Sequence, residues 1–131
     1  IVRRPQDLRI EKCVASALTG TPLGAWLKER GIDTLSIVGY MTHNCDDSTA
    51  RQAHHEGWKF ELLHDASGSL PYRNAIGAAT AEEIHRVFTV VMHTGFAAVA
   101  STDDWLAAVQ RGEALQPDNV FLSNQRAVSA A

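Results

Sequence analysis

The sequence has no surplus of charge of one sign, no long apolar run and only two cysteines, and each scarcity removes a class of protein. Twelve basic against fifteen acidic residues leave a formal charge of −3, so there is no electrostatic footprint for nucleic acid or an anionic membrane. The apolar runs fall far short of the roughly 20 residues that span a bilayer. Cys13 and Cys45 are too few for a disulfide-built secreted scaffold. Internal repeats, low-complexity tracts and tight-hairpin signals are also missing. What is left, 45% hydrophobic and 21% charged over 131 residues, is ordinary for one globular domain. We expect a reducing, cytoplasmic setting and small-molecule or protein partners, with no nucleic acid and no membrane. Ile1-Val2-Arg3-Arg4-Pro5 looks neither like a signal peptide nor like a start of translation, which raises the expectation of a longer chain.

Hydrophobic periodicity supplies the elements. Leu8 to Val14 roughly alternates apolar and polar residues, the pattern of a half-buried strand ending near Val14. Thr21-Pro22 opens a helix carrying Leu23, Trp26 and Leu27, stopped by Gly31. Asp33 to Tyr40 reads as a buried strand, and a helix follows from Asn44 or Cys45 to Gly57. Lys59 to His64 is a third strand, ending in the turn cluster Asp65-Ala66-Ser67-Gly68. Thr80 and Glu83 form a capping box for a helix to about His93, with Ile84, Val87, Phe88 and Val91 on one face. Phe96 to Ala100 is a short last strand, and Ser101 caps a helix through Trp105, Leu106 and Val109. Beyond Gly112 the periodicity fades, which makes 113–131 a tail; its stretch from Gln116 to Ala131 holds Val120-Phe121-Leu122 among polar residues, a pattern that often packs on a neighbouring subunit. Strands alternating with helices at this spacing predict an α/β fold with a parallel sheet.

The chemistry concentrates where the second of these strands ends. Gly39-Tyr40-Met41-Thr42-His43-Asn44-Cys45 is a strand-to-helix turn at the carboxyl edge of a parallel sheet, where such folds bind ligands. A cysteine in the first turn of a helix meets unsatisfied N–H groups that favour the thiolate, so Cys45 is a candidate nucleophile; elsewhere an isolated cysteine is a small buried hydrophobe. Hydrolysis of an amide needs a thiolate, a proton carrier and donors for the oxyanion. The backbone N–H groups of Cys45 and Met41 are the candidate donors. Lys12, at the end of a neighbouring strand, would bring its ammonium to the thiolate, or else snorkel at the surface. Asp46 and Asp47 favour the helix start and oppose the thiolate, which makes a nearby cation more necessary.

Lys12, Ser16-Ala17-Leu18-Thr19-Gly20-Thr21-Pro22-Leu23, Trp26-Leu27, Arg30-Gly31-Ile32-Asp33-Thr34-Leu35, Gly39, Thr42, Cys45, Ser48-Thr49-Ala50 and Asp65-Ala66 together resemble the isochorismatase-like cysteine hydrolases, a group with nicotinamidases and N-carbamoylsarcosine amidases. The likeness covers roughly residues 5 to 110, and the ordered combination is far more specific than any piece. It implies a three-layer α/β/α sandwich, Rossmann-like, with six parallel strands in the order 3-2-1-4-5-6, usually in oligomers. It also implies an Asp-Lys-Cys triad and a non-proline cis peptide before the cysteine, matching Tyr40–Met41. Cysteine at position 45 favours amide or ureide hydrolysis over vinyl-ether hydrolysis. The triad aspartate of the resembled family lies on its first strand, and neither Asp7, Asp46 nor Asp47 matches it. In the implied order two strands are missing between the Lys12 strand and the Val38 strand. The expectation is therefore the C-terminal portion of the domain, with the N-terminal strands absent from this chain or supplied by a second one. The metal-binding Asp and His residues of nicotinamidases would lie in the missing portion, so no metal and no cofactor are expected from what is visible.

The remaining polar residues carry weaker signals. His43 either touches substrate or caps a helix start, and His64 ends a strand at the active edge. His54, His55, His85 and His93 fall within predicted helices, and Trp26, Trp58 and Trp105 read as core. Ser67 to Asn74 is a polar loop at the edge of Cys45 that lines the pocket, lines an interface or merely connects. The leading reading is a cysteine hydrolase cleaving a C–N bond of a small amide or ureide, acting as a homo-oligomer. Its rivals are a catalytically silent domain for oligomerisation or ligand binding, and a papain-type Cys-His enzyme using His64 or His43.

Overall fold

In the computed structural model, which describes residue 2 and residues 4–130, the elements follow in the order α1 (Leu23–Glu29), β1 (Thr34–Tyr40), a π-helical turn (Thr42–Asp46), α2 (Asp47–His55), β2 (Lys59–Gly68), β3 (Tyr72–Asn74), β4 (Gly77–Ala79), α3 (Ala81–His93), β5 (Ala98–Ala100), α4 (Thr102–Arg111) and α5 (Val120–Ser129). Strands β1, β2 and β5 form a parallel sheet in that order. The α/β fold expected from the alternation is therefore observed.

The two faces of β2 are read from its period of two. Phe60 and Leu62 point to one side, level with Leu35, Ile37 and Val99 on the flanking strands, and pack with Leu27 of α1, Ala50 and Ala53 of α2, and Met92 of α3. Leu62, Ala50, Ala53 and Met92 are fully buried, and the alanines let α2 lie close to the sheet. The opposite face carries Glu61, level with Ser36. Its carboxylate is buried and accepts hydrogen bonds from Ser36 Oγ (2.5 Å) and from Trp105 Nε1 of α4 (2.9 Å). Helices on both faces make the three layers.

The end of β2 is irregular in a way that shapes the site. Ile37 pairs with Leu62 but Gly39 pairs with Ser67, so β2 bulges between these positions. From the bulge Asp65 reaches the start of α4 and accepts from Thr102 N–H (2.9 Å) and Thr102 Oγ1 (2.8 Å), which holds its carboxyl below the ordinary value.

Several expectations need correction. Leu8 to Val14 is not a strand. Among the described residues no strand pairs with the outer edge of β1, so an alternating segment there has no ladder to join. The turn cluster Asp65 to Gly68 continues β2 instead of ending it. A hairpin is present after all, β3–β4, antiparallel with Tyr72 facing Ala79. Its connection, Ala75-Ile76, lacks the usual two-residue turn signal; Asn74 Oδ1 instead accepts from Ile76 N–H (2.9 Å). On α3 the buried residue is Met92, with Phe88 packed against the core, while Val87 and Val91 are exposed. Residues 120–129 form a helix capped by Asn119, whose Oδ1 accepts from Phe121 N–H and Leu122 N–H. None of its residues is buried, which is why no stripe marked it in the sequence. No helix among the described residues is long and apolar enough to cross a membrane.

Trp105→Phe removes the only indole donor to the buried Glu61 carboxylate while keeping most of the ring. It should lower stability by about 1–3 kcal/mol, the cost of a buried acceptor left short of a partner, measured by urea unfolding; an unchanged midpoint would show that this bond contributes nothing.

Candidate active site

Cys45 is the fourth residue of the π-helical turn that follows β1 directly. The turn starts at a cis peptide between Tyr40 and Met41, and Met41 O accepts from both Asn44 N–H (3.0 Å) and Asp46 N–H (3.2 Å). Gly39 just before it has φ +152°, a backbone that side-chain-bearing residues rarely adopt.

The segment after Lys12 is laid on α2 by polar contacts. Gln52 Oε1 accepts from Ser16 Oγ (2.6 Å) and Thr19 Oγ1 (2.7 Å). Thr49 Oγ1 accepts from Ala17 N–H (3.1 Å) and donates to Cys45 O (2.6 Å). One buried hydroxyl thus links the cysteine's own carbonyl to the chain that carries the lysine. At its end Lys12 Nζ donates to Val14 O (3.0 Å), Ala15 O (3.0 Å) and Cys45 Sγ (3.2 Å). An ammonium has three protons, and each has an acceptor here.

Beside the thiol the side chain of Asp46 is buried; its Oδ1 faces Gly39, and its Oδ2 has no partner among the described residues. Burial pushes this carboxyl above its ordinary value, and the charges of His43 and Lys12 pull it partly back. Asp47 points elsewhere, to a two-oxygen ion pair with Arg51 Nε (3.0 and 2.9 Å).

On the other flank the turn meets the end of β2. Thr42, fully buried, donates from Oγ1 to Gly68 O (3.0 Å) and lies 2.8 Å from His85 Nδ1. A hydroxyl has one proton, so the ring nitrogen of His85 is the donor in that contact. His43 lies with Nδ1 3.0 Å from Ser69 Oγ and Nε2 2.8 Å from the Tyr72 hydroxyl. Tyr40 donates to Ser69 O (2.9 Å), and its ring lies over Gly68, where an added Cβ would sit 2.9 Å from the ring edge.

Of the residues singled out in the sequence, Lys12 and Cys45 are brought into contact, and Tyr40 and Met41 precede the thiol as the resemblance implied. His43 is neither a helix cap nor free. His64 lines a separate hollow of about 340 Å³ with His93 and Asp118, which includes neither Cys45 nor Lys12. His54 and His55 pack edge-on against Phe96, and His93 Nδ1 accepts from Val99 N–H (3.0 Å). Sequence reasoning passed over Asp46 as a buried acid, Thr42 and His85 as partners, and Tyr72 as part of the site. Only the polar loop Ser67 to Asn74 had hinted at the last. Among the described residues no three His, Cys, Asp or Glu side chains are grouped to hold a metal ion.

A thiol on a strand-to-helix turn, held by a lysine from outside the turn, defines a class as well as a geometry. The Isochorismatase domain matches residues 1–104, and the chain belongs to that family, whose members are hydrolases. The chain is 34% identical over 59 residues to the nicotinamidase/pyrazinamidase of Mycobacterium tuberculosis, covering 45% of this chain and 32% of that protein. It is 36% identical over 63 residues to the ureidoacrylate amidohydrolase of Methylorubrum extorquens, covering 48% and 25%. The crystal structure of a provisionally designated isochorismatase from Burkholderia xenovorans LB400 superposes with a TM-score of 0.93 at 57% identity, over 97% of this chain and 61% of that one. The chain spans about half or less of the curated relatives it matches, from 54% down to 25%.

Asp46 gives a pH signature. Its folded-state pKa lies above the unfolded value near 3.8, so between the two the folded state holds more protons and stability falls as pH rises. Asp46→Asn abolishes that slope. In urea unfolding across pH 3.5 to 7, the stability difference should move in favour of the variant as pH rises; a constant difference would contradict the burial argument.

Proposed function

We propose that this chain carries the nucleophile of a cysteine-dependent amidohydrolase acting on a small amide or ureide. The observation that supports this reading most is the 3.2 Å contact between Lys12 Nζ and Cys45 Sγ, and relatives named for nicotinamide and ureidoacrylate chemistry agree with it. Cys45 thiolate attacks the carbonyl carbon, and the electron pair moves to oxygen. Backbone N–H groups of Met41 and Cys45 receive the developing oxyanion. Collapse of the adduct breaks the C–N bond, and ammonia or an amine leaves with a proton. Water then cleaves the thioester and frees the thiol. Lys12 stabilises the thiolate before attack and after release. For the proton carrier the resemblance implies an aspartate of the family's first strand, a position that none of Asp7, Asp46 and Asp47 matches. Such a strand, from a longer chain or from a second, different chain, would pair along the outer edge of β1, where Val38 is 56% exposed.

A silent domain remains the second reading, favoured by one observation: none of the described aspartates hydrogen-bonds to Lys12 or Cys45. Ammonia release from nicotinamide, ureidoacrylate and simple primary amides, measured on the full-length protein, separates the two. Cys45→Ala should reduce turnover by about 10³-fold or more with an unchanged far-ultraviolet circular dichroism spectrum. Full activity in that variant would refute the nucleophile, and inertness of the wild type across the panel would favour the silent domain.

A further inference from the structure

The nucleophile turn is fastened to the end of β2 by two of its own side chains and by Tyr40, the last residue of β1. Tyr40 donates to Ser69 O, Thr42 donates to Gly68 O, and His43 meets Ser69 Oγ. The third contact continues outward. His43 Nε2 lies 2.8 Å from the Tyr72 hydroxyl, and that hydroxyl reaches back to Met41 Sδ at 3.8 Å. With the backbone from Met41 to His43, the contacts of Tyr72 close a loop around the start of the turn, and Ser69 ties that loop to the end of β2. Tyr72 arrives on the β3–β4 hairpin, an element with no part in the main sheet.

The imidazole at the centre has little freedom. Both ring nitrogens are engaged by hydroxyls, and the ring stands edge-on to Tyr72 (centroids 5.2 Å apart, 81°) and to Phe88 (6.0 Å, 64°). Such a clasp matters here because a π-helical turn is short and irregular, with fewer regular backbone bonds to define its shape. Oxyanion donors must also be placed closely, since a displacement of about 1 Å can cost a hundredfold in rate.

We propose that His43 and Tyr72 are positioning residues: the chain of contacts from Ser69 through His43 to Tyr72 holds the backbone of Met41 to Cys45 in the shape the reaction needs. The consequence for catalysis rests on the amidohydrolase reading above; the fastening itself does not. Tyr72 is 45% exposed, so Tyr72→Phe removes one hydroxyl without disturbing the core.

The test uses the full-length protein with two readouts. Hydrogen exchange in peptides covering 40–46 should quicken about fivefold in Tyr72→Phe, the factor that one lost hydrogen bond represents, while peptides from 84–92 of α3 keep their wild-type rates. With nicotinamide, or whichever primary amide the wild type hydrolyses, kcat should fall about tenfold with KM within about twofold, as for a group that acts only through placement of the donors. Ser69→Ala should reproduce both effects by cutting the chain at its other end. Wild-type exchange over 40–46 in both variants overturns the clasp, and quickened exchange with unchanged kcat overturns the positioning role in catalysis. A wild type inert towards all amides overturns the amidohydrolase reading instead, and the exchange readout still decides whether the clasp holds the turn.

Discussion

A lysine ammonium 3.2 Å from a cysteine sulfur joins two segments that share no secondary structure, and the arrangement of the site depends on it. The cost of holding a charged, flexible side chain in one rotamer is of order 2 kcal/mol in lost freedom, so the position must be supported from elsewhere. The support is visible. Carbonyls of Val14 and Ala15 take the other two ammonium protons, and Ser16, Ala17 and Thr19 bind Gln52 and Thr49 on α2. Since α2 starts directly after the turn with Cys45, the lysine segment is anchored to the same helix that positions the thiol.

That helix is placed in turn by small residues. Ala50 and Ala53 are completely buried against Phe60 and Leu62, and a larger side chain at either would push α2 off the sheet. The opposite flank of the turn is set by close approach of another kind: Gly68 lacks the Cβ that would collide with the Tyr40 ring. Packing on one side and a missing side chain on the other bring the Cys45 turn between α2 and the end of β2. The buried carboxyl of Asp46 works against this arrangement, since its Oδ2, like Ser67 Oγ at the end of β2, has no partner among the described residues.

Which parts of this were legible in the sequence follows from the physics of each part. The helices α2 and α3 carried periodic patterns and β1 and β2 stood out as apolar runs, although β1, expected to be buried, has no buried residue because no strand among the described residues covers its outer edge; the capping box of Thr80 and Glu83 marked a helix start that the structure shows bond for bond. Cys45 and Lys12 stood out by placement and by resemblance, and the structure brings them within 3.2 Å of each other. The β3–β4 hairpin was hidden because its strands are exposed throughout apart from Ala79, so no alternation records them. Tyr72 went unrecognised with it. The segment from Leu8 to Val14 erred in the other direction: its alternation is real, but a strand needs a neighbour to complete its hydrogen bonds, and periodicity within one segment says nothing about neighbours.

The central claim is that Lys12 makes Cys45 a nucleophile. The most direct measurement is the rate of Cys45 alkylation by iodoacetamide at neutral pH, followed by mass spectrometry in the full-length protein and in Lys12→Met. The account predicts that the variant, with a side chain of similar length and no charge, reacts at least about tenfold more slowly while its circular dichroism is unchanged. Equal rates in the two proteins would mean that the ammonium does not activate the thiol, and the proposed chemistry would lose its basis.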